Sequence, residues 1–137
     1  MDKCIFIDSD VLIDVFAQRQ PFYNDSSAVL TFAEEKVFNA YTSPLILANV
    51  YYVLRKFGGK ELALNTIRKT RTFINVVDIN QNIIDKAINS DFIDFEDAIQ
   101  SYSAENAVMD IIVTRNIDHY KKSILSVLLP GEVIALY

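Results

Sequence analysis

Short apolar runs alternate with longer amphipathic stretches along most of this chain. The run 4–7 is apolar throughout and predicts a buried strand of a parallel sheet. The same reasoning predicts further strands at 38–42, 73–77 and 110–113. The stretches between them predict helices at 11–17, 24–36, 44–57, 60–71, 80–89 and 94–107. Alternating strands and helices predict one domain over residues 1–137, a three-layer α/β/α sandwich with a mostly parallel central sheet.

Punctuating residues set several of these boundaries. Ser43 followed by Pro44 is typical of a helix start, and Gly58-Gly59 predicts a stop. Pro21 separates the first two helical stretches. The tail 126–137 has β-favouring residues around Pro130 and Gly131, which predicts a short edge strand or loop followed by a final strand.

Composition argues against several classes of protein. The chain has 137 residues, of which 51% are hydrophobic, enough for the core of one ordinary domain. No apolar stretch approaches the roughly 20 residues of a membrane helix, and the start lacks the pattern of a signal peptide. We therefore expect a cytoplasmic protein without a membrane partner. The single cysteine, Cys4, lies in the apolar run and is interpreted as a core residue.

Charge is distributed unevenly. The formal net charge is −5, yet residues 55–71 carry a local balance of +5, so the remainder of the chain carries −10. Arg55, Lys56 and Arg68 belong to this basic segment. Such asymmetry can place a basic wall beside an acidic pocket, where it would hold a nucleic-acid phosphate backbone. Solvated helix ends explain the same pattern, and both interpretations stay open.

Polar side chains follow the apolar runs where strands should end. Asp8 and Asp10 follow the first strand, Asp94 and Asp97 open a helix, and a further group follows the strand 110–113: Thr114, Arg115, Asn116 and Asp118. Ligands of open α/β sheets collect beyond the carboxyl ends of the strands, so these side chains are expected at one edge. Carboxylate and amide oxygens suit Mg²⁺ or Mn²⁺.

Structural roles compete with metal binding at each of these positions. Asp8, Asp10 or Asp94 can each cap a helix, and Asn116 can shape a turn. Capping is the preferred role for Asp94, while Asp97 should face the pocket as an anion favoured by the helix dipole. Asp14 is interpreted as a solvated helix residue. His119, the only histidine, is interpreted as structural.

Four segments resemble the PIN domain nucleases and, more loosely, their bacterial VapC-type toxin members. The segments are IFIDSDVLIDV, SPLILANVYYVLRK, DFEDAIQSYSAE and IIVTRNIDHY, in that order. The resemblance implies that Asp8 and Asp97 are metal-binding and catalytic, joined by Asn116 of the threonine-arginine-asparagine loop. It also implies RNA as the substrate, a homodimer, and, for the toxin members, an antitoxin protein that covers the acidic pocket.

Two positions depart from the pattern of that family. Asn49 stands where most VapC-type members carry a glutamate, and its carbonyl oxygen can bind a metal or position a water. His119 precedes Tyr120 where many members have an aspartate before an aromatic residue, so Asp118 or Asn116 would take the fourth role. Asp10 and Asp118 are therefore included as metal ligands, and Asn49 as a contact for substrate.

The expected activity is metal-dependent hydrolysis of an RNA phosphodiester, without a protein nucleophile. Arg115 and the basic segment are the candidates for phosphate contacts, whereas Tyr51, Tyr52 and Phe57 are interpreted as core or a self-association face. One alternative is a PIN-like module that binds nucleic acid or protein without cutting. Another, a haloacid dehalogenase type phosphatase, matches the two aspartates but fails at Leu12 and on chain length.

Overall fold

The computed structural model describes residues 2–137, in which five parallel strands form one sheet. The strands are β1 (Cys4–Ile7), β2 (Asn39–Thr42), β3 (Ile74–Val76), β4 (Ile111–Val113) and β5 (Ser126–Leu128). Their order in the sheet is β3-β2-β1-β4-β5, so β1 lies in the centre between β2 and β4. All four pairings are parallel, as the alternation of strands with helices predicts.

Six α-helices cover this sheet. They are α1 (Ser9–Phe16), α2 (Tyr23–Glu34), α3 (Pro44–Thr70), α4 (Gln81–Ile88), α5 (Phe95–Asn106) and α6 (Pro130–Ile134). Helix α1 contacts α2 and α3, and α2 contacts α6, whereas α4 pairs with α5 over a small apolar cluster of its own. The predicted α/β/α sandwich is confirmed. No helix within residues 2–137 is long and apolar enough to cross a membrane.

The central strands bring distant polar residues to one edge. Ile5, Phe6 and Ile7 are completely buried, because helices cover both faces of a parallel sheet. Immediately beyond β1, the Asp8 N–H donates to the Val113 carbonyl at 3.1 Å, which aligns the ends of β1 and β4. Side chains that follow β1 and β4 therefore meet, although about 100 residues separate them in the chain.

The helical backbone of α3 is interrupted at the glycine pair, where the sequence predicts a stop. Gly59 has φ +83° and ψ 178°, a conformation that side-chain-bearing residues avoid, and the chain resumes a helix directly after it. The two predicted helices are therefore the two arms of one bent element. At its start, the Ser43 hydroxyl accepts the Ile46 N–H at 3.0 Å, which confirms the predicted cap.

The tail corrects one prediction. The edge strand is present as β5, but the expected final strand is instead the short helix α6. Pro130 occupies its first turn, and the Glu132 carboxylate accepts the Leu129 N–H at 2.9 Å. A proline and an acidic residue in the first turn favour a helix start over a strand.

Gly59→Ala is expected to lower the free energy of unfolding by about 1–3 kcal/mol, because a Cβ is strained at this backbone conformation. Urea unfolding measures the change. Lys60→Ala, at the next and exposed position of the helix, is the matched control and should change stability little. Equal stability of both variants and the parent would contradict the bend at Gly59.

Candidate active site

Asp8 takes the capping role that its sequence position allows, and it also contacts the loop after β4. It is the N-cap of α1, where its Oδ1 accepts the Ser9 N–H at 2.8 Å, and its Oδ2 accepts the Thr114 hydroxyl at 2.9 Å. The residue is only 8% exposed. Burial, and then the neighbouring Asp10 carboxylate, raise the pKa of Asp8 from 3.8 to about 7. An additional positive charge at this position would be strongly favoured.

Asp10 is drawn into the same cluster by the segment after β4. Its Oδ2 accepts the Thr114 hydroxyl at 3.2 Å, the Arg115 N–H at 2.9 Å and the Asn116 side-chain amide at 3.0 Å. Its Oδ1 is buried and has no hydrogen-bond partner within residues 2–137. Burial raises the pKa of Asp10 as well. Of the two roles left open for Asp10, helix capping is wrong, since Asp8 is the N-cap of α1.

Asp97 completes the group of carboxylates. Asp94 is the N-cap of α5 and its Oδ1 accepts the Asp97 N–H at 3.0 Å, so the predicted division of labour between them is confirmed for the cap. Burial and the Asp94 charge raise the pKa of Asp97 to about 6. The Nδ1 atom of His119 lies 3.4 Å from Asp97 Oδ2, which brings the single histidine to the edge of the acidic cluster.

The remaining predicted residues lie at different distances from this cluster. Asn116 is bonded to Asp10, as described above. Asp118 is exposed and belongs to the 3₁₀ turn Ile117–Tyr120. Asn49 is half-buried on α3 and makes no hydrogen bond to the cluster in the part of the chain that the structure describes. Its predicted contact with substrate stays a prediction.

A cleft of about 480 Å³ opens beside Asp97, and an adjoining cavity of about 270 Å³ lies over Asn116. Asp118 and His119 line both of them. The cleft also contains Lys121 and Lys122, two exposed basic residues that the sequence interpretation did not single out. Their only sequence signal was their position a few residues after a strand-end loop.

The basic segment lies elsewhere. Arg55, Lys56 and Arg68 are exposed on α3 and do not line the acidic cleft or the cavity beside it. Arg68 donates to the Asn65 side chain at 2.6 Å, a local contact within its own helix. The role of these residues in binding a phosphate backbone therefore stays a prediction.

Arg115 is held by a residue that the sequence interpretation left out. Its Nε and Nη2 donate to the two carboxylate oxygens of Asp14, at 2.6 and 3.1 Å. Asp14 is completely buried, so its interpretation as a solvated residue is wrong. The guanidinium also lies over the Phe22 ring, 3.8 Å from the centroid. This arrangement leaves Nη1 of Arg115 without a hydrogen-bond partner among residues 2–137.

Three aromatic side chains, Tyr52, Phe57 and Tyr120, differ in their exposure. Tyr52 and Phe57 are 60% and 69% exposed, so for these two the core interpretation is wrong and a self-association face stays a prediction. Tyr120 was overlooked: it is 1% exposed, and its hydroxyl lacks a hydrogen-bond partner within residues 2–137. Burial, and then the nearby carboxylates of Asp8 and Asp97, raise the pKa of Tyr120.

The donor set fits a hard divalent cation that keeps most of its water. No group of three or more acidic, histidine or cysteine side chains within residues 2–137 is arranged so that it could hold a metal ion by itself. The buried Asp10 Oδ1 nevertheless lacks a partner, and the neighbouring Asp8 carries a raised pKa. A cation bound by two carboxylates and several waters would satisfy both, and this is how Mg²⁺ is often held.

Comparison with known proteins assigns the chain to one family. A family model described as PIN domain matches residues 4–118, and the chain belongs to this family. The chain is similar to "Ribonuclease VapC1" of Aquifex aeolicus (strain VF5), with 26% identity over 125 residues, which is 88% of this chain and 86% of that protein.

Solved structures show the same fold at lower sequence identity. One is a toxin-antitoxin complex from Klebsiella pneumoniae, with a TM-score of 0.70, 20% identity, and coverage of 92% of this chain and 97% of that chain. Another is VapBC2 from Rickettsia felis, bound to a DNA fragment from its promoter, with a TM-score of 0.67, 16% identity, and coverage of 92% and 98%. The likeness to these structures concerns the fold.

The raised pKa of Asp8 predicts an unusual pH dependence of stability. Folded Asp8 keeps its proton up to about pH 7, whereas the ordinary pKa of an aspartate is 3.8, so folding takes up a proton between these two pH values. In EDTA, the free energy of unfolding should therefore fall by at least about 1 kcal/mol from pH 5 to pH 8.

Urea unfolding at the two pH values measures this change, and Asp8→Asn should make it smaller, with the remaining slope due to the raised pKa values of Asp10 and Asp97. Asp85→Asn, an exposed carboxylate on α4, should keep the parent slope. A parent protein whose stability is flat or rises over this range would show that Asp8 is ionised in the folded state.

Proposed function

We propose that this protein is a divalent-metal-dependent endoribonuclease that hydrolyses RNA phosphodiester bonds. The observation that carries the proposal is the buried Asp8 and the half-buried Asp10 beside Asp97, at the edge of a PIN-domain sheet. The relative VapC1 is named a ribonuclease, which supports the same conclusion. Keeping carboxylates together without a cation is costly, so the cluster favours a role for a metal.

Two of the three carboxylates of Asp8, Asp10 and Asp97 would hold Mg²⁺ or Mn²⁺ directly, and the third, together with Asn116 or Asp118, would contribute through water. When bound, such an ion lowers the pKa of a coordinated water and offsets the charge that develops on the phosphate. Thr114 holds the carboxylates of Asp8 and Asp10 with one hydroxyl, and Asn116 fixes Asp10. His119 lies within reach of Asp97 and can exchange a proton at the edge of the cleft.

The partners follow from the same assignment. We propose RNA as substrate, an antitoxin protein as inhibitor, and a cytoplasmic location. The antitoxin is supported by the structural similarity to proteins solved as toxin-antitoxin complexes. A homodimer is proposed because Tyr52 and Phe57 expose aromatic surface on α3 that a second copy would cover.

A second candidate is a PIN-fold module that binds nucleic acid or protein without cutting it. Asn49 in place of a carboxylate favours it, as does the lack of a closed three-ligand group within residues 2–137. Calorimetry with Mn²⁺ separates the two candidates. Retained RNA binding with no measurable Mn²⁺ binding would support the module.

Asp8→Asn is expected to abolish cleavage of labelled RNA in Mn²⁺ or Mg²⁺, by at least about 100-fold in rate. Asparagine can still cap α1, so the fold should persist, and thermal unfolding checks this. Asp85→Asn is the matched control and should cut as the parent does. Equal cleavage by Asp8→Asn and the parent would refute the assignment.

Lys121→Ala with Lys122→Ala is expected to raise KM for RNA and to reduce the salt dependence of binding by about one unit of slope, since lysines in the cleft would contact phosphates. Arg55→Ala with Lys56→Ala is the comparison pair, because these residues lie outside the cleft. A larger effect from the second pair would place the phosphate path along the basic segment instead.

A further inference from the structure

A second pocket lies on the other side of Arg115 from the acidic cluster. We call it the Phe22 pocket. It has a volume of about 380 Å³. Its lining includes Phe22, Asp25, Arg115, Leu129, Gly131 and Glu132. None of the roles assigned above involves this pocket, apart from the contact of Arg115 with Phe22.

The Phe22 pocket is continuous with the proposed active site. Arg115 and Leu129 line both this pocket and the 270 Å³ cavity over Asn116. Asp118 and His119 in turn line both that cavity and the cleft beside Asp97. A single strand bound at the carboxylates can therefore extend along one trough into the Phe22 pocket.

The walls of the pocket suit a flat ligand. The side chains of Phe22 and Leu129 are each 40% exposed, which leaves apolar surface open at the pocket. The Arg115 guanidinium covers one face of the Phe22 ring and is fixed there by Asp14. Aromatic rings on a rigid support are the usual stacking platforms for bases of single-stranded nucleic acid.

The polar groups of the pocket are mainly acceptors. The side chain of Asp25 is exposed and makes no hydrogen bond or ion pair within residues 2–137. One carboxylate oxygen of Glu132 accepts the Leu129 N–H. A Cβ at position 131 would lie 3.1 Å from Asp25 Oδ2, so Gly131 keeps that side of the carboxylate clear. The ligand must therefore offer hydrogen-bond donors to a carboxylate.

Among the four RNA bases, guanine matches this requirement best. Its N1–H and N2–H₂ groups lie side by side on one edge and can donate to both oxygens of one carboxylate. Adenine and cytosine present one amino group next to an acceptor nitrogen, and uracil presents one imino group between two carbonyls. Each of those would direct a lone pair at a carboxylate oxygen.

We propose that the Phe22 pocket is a guanine subsite, in which the base packs against Phe22 and its N1–H and N2–H₂ groups donate to Asp25. The free Nη1 of Arg115 then contacts the phosphate that links this guanosine to the nucleotide at the acidic cluster. This inference rests on the proposed ribonuclease function, because the acidic cluster brings RNA to the pocket.

The test uses nine-nucleotide RNAs that are uridine throughout except for one central residue, which is G, A, C, U or inosine. With Mn²⁺, the parent protein should cleave the guanosine RNA with a kcat/KM about tenfold above those of the A, C and U forms. Inosine lacks only the N2 amino group, so its RNA should fall between guanosine and the others.

Two variants with matched controls test the pocket itself. Asp25→Asn should bring the guanosine advantage to within about twofold, because an amide replaces one acceptor by a donor. Its control, Asp85→Asn, should keep the full preference. Phe22→Ala should lower kcat/KM on the guanosine RNA, whereas Tyr137→Ala, which removes a comparably exposed aromatic side chain outside the pocket, should not. Thermal unfolding confirms that each variant is folded.

Equal cleavage of all five RNAs by the parent, or a guanosine preference that survives Asp25→Asn, would overturn the subsite while leaving the ribonuclease intact. An arginine side chain offers similar donors, so an arginine-rich peptide is the competitor. Its displacement of RNA without any base preference would assign the pocket to a protein partner and refute guanine.

The failure of the ribonuclease itself is distinguishable. If the parent cuts none of the RNAs, the proposed function is wrong, and the subsite is then judged from fluorescence anisotropy of the same RNAs with Asp8→Asn. Tighter binding of the guanosine RNA by about tenfold supports the subsite, and equal binding of all five overturns it.

Discussion

The functional edge of this protein depends on holding two carboxyl side chains side by side, the buried Asp8 and the half-buried Asp10. The single hydroxyl of Thr114 lies within hydrogen-bond distance of both carboxyl groups, at 2.9 Å from Asp8 and 3.2 Å from Asp10. Because Thr114 follows β4 and both aspartates follow β1, the cluster exists only while these neighbouring strands are in register. The raised pKa of Asp8 reflects the unfavourable free energy of burying its charge beside that of Asp10.

A second interaction fixes the loop that makes those contacts. Arg115 lies between the acidic cluster and the Phe22 pocket, with its backbone N–H on Asp10 and its guanidinium on the buried Asp14. Removing one member of a buried ion pair leaves the other charge uncompensated, which typically costs several kcal/mol. The same side chain therefore positions the carboxylates and shapes a wall of the trough, and its free Nη1 is available to a phosphate.

Local signals predicted the parts of the structure that depend on local physics. The strand 4–7, the cap at Ser43 and the cap at Asp94 follow from apolar runs and from side chains that bond their own backbone. The prediction of a final strand is wrong because Pro130 and Glu132 start a helix in a segment rich in β-favouring residues. The interpretation of Asp14 as a solvated residue is wrong because a buried acid needs a partner, and that partner, Arg115, lies about 100 residues away in the chain.

By itself, the sequence determined the class of fold, the family and the identity of Asp8, Asp10, Asp97 and Asn116 as candidates, because these follow from periodicity, spacing and recognisable segments. The tertiary structure decided which charged groups share a cavity. It placed Lys121, Lys122 and Tyr120 with the carboxylates and left Arg55, Lys56 and Arg68 outside the cleft. Proximity of charges across strands depends on sheet order and helix packing, which no local pattern specifies.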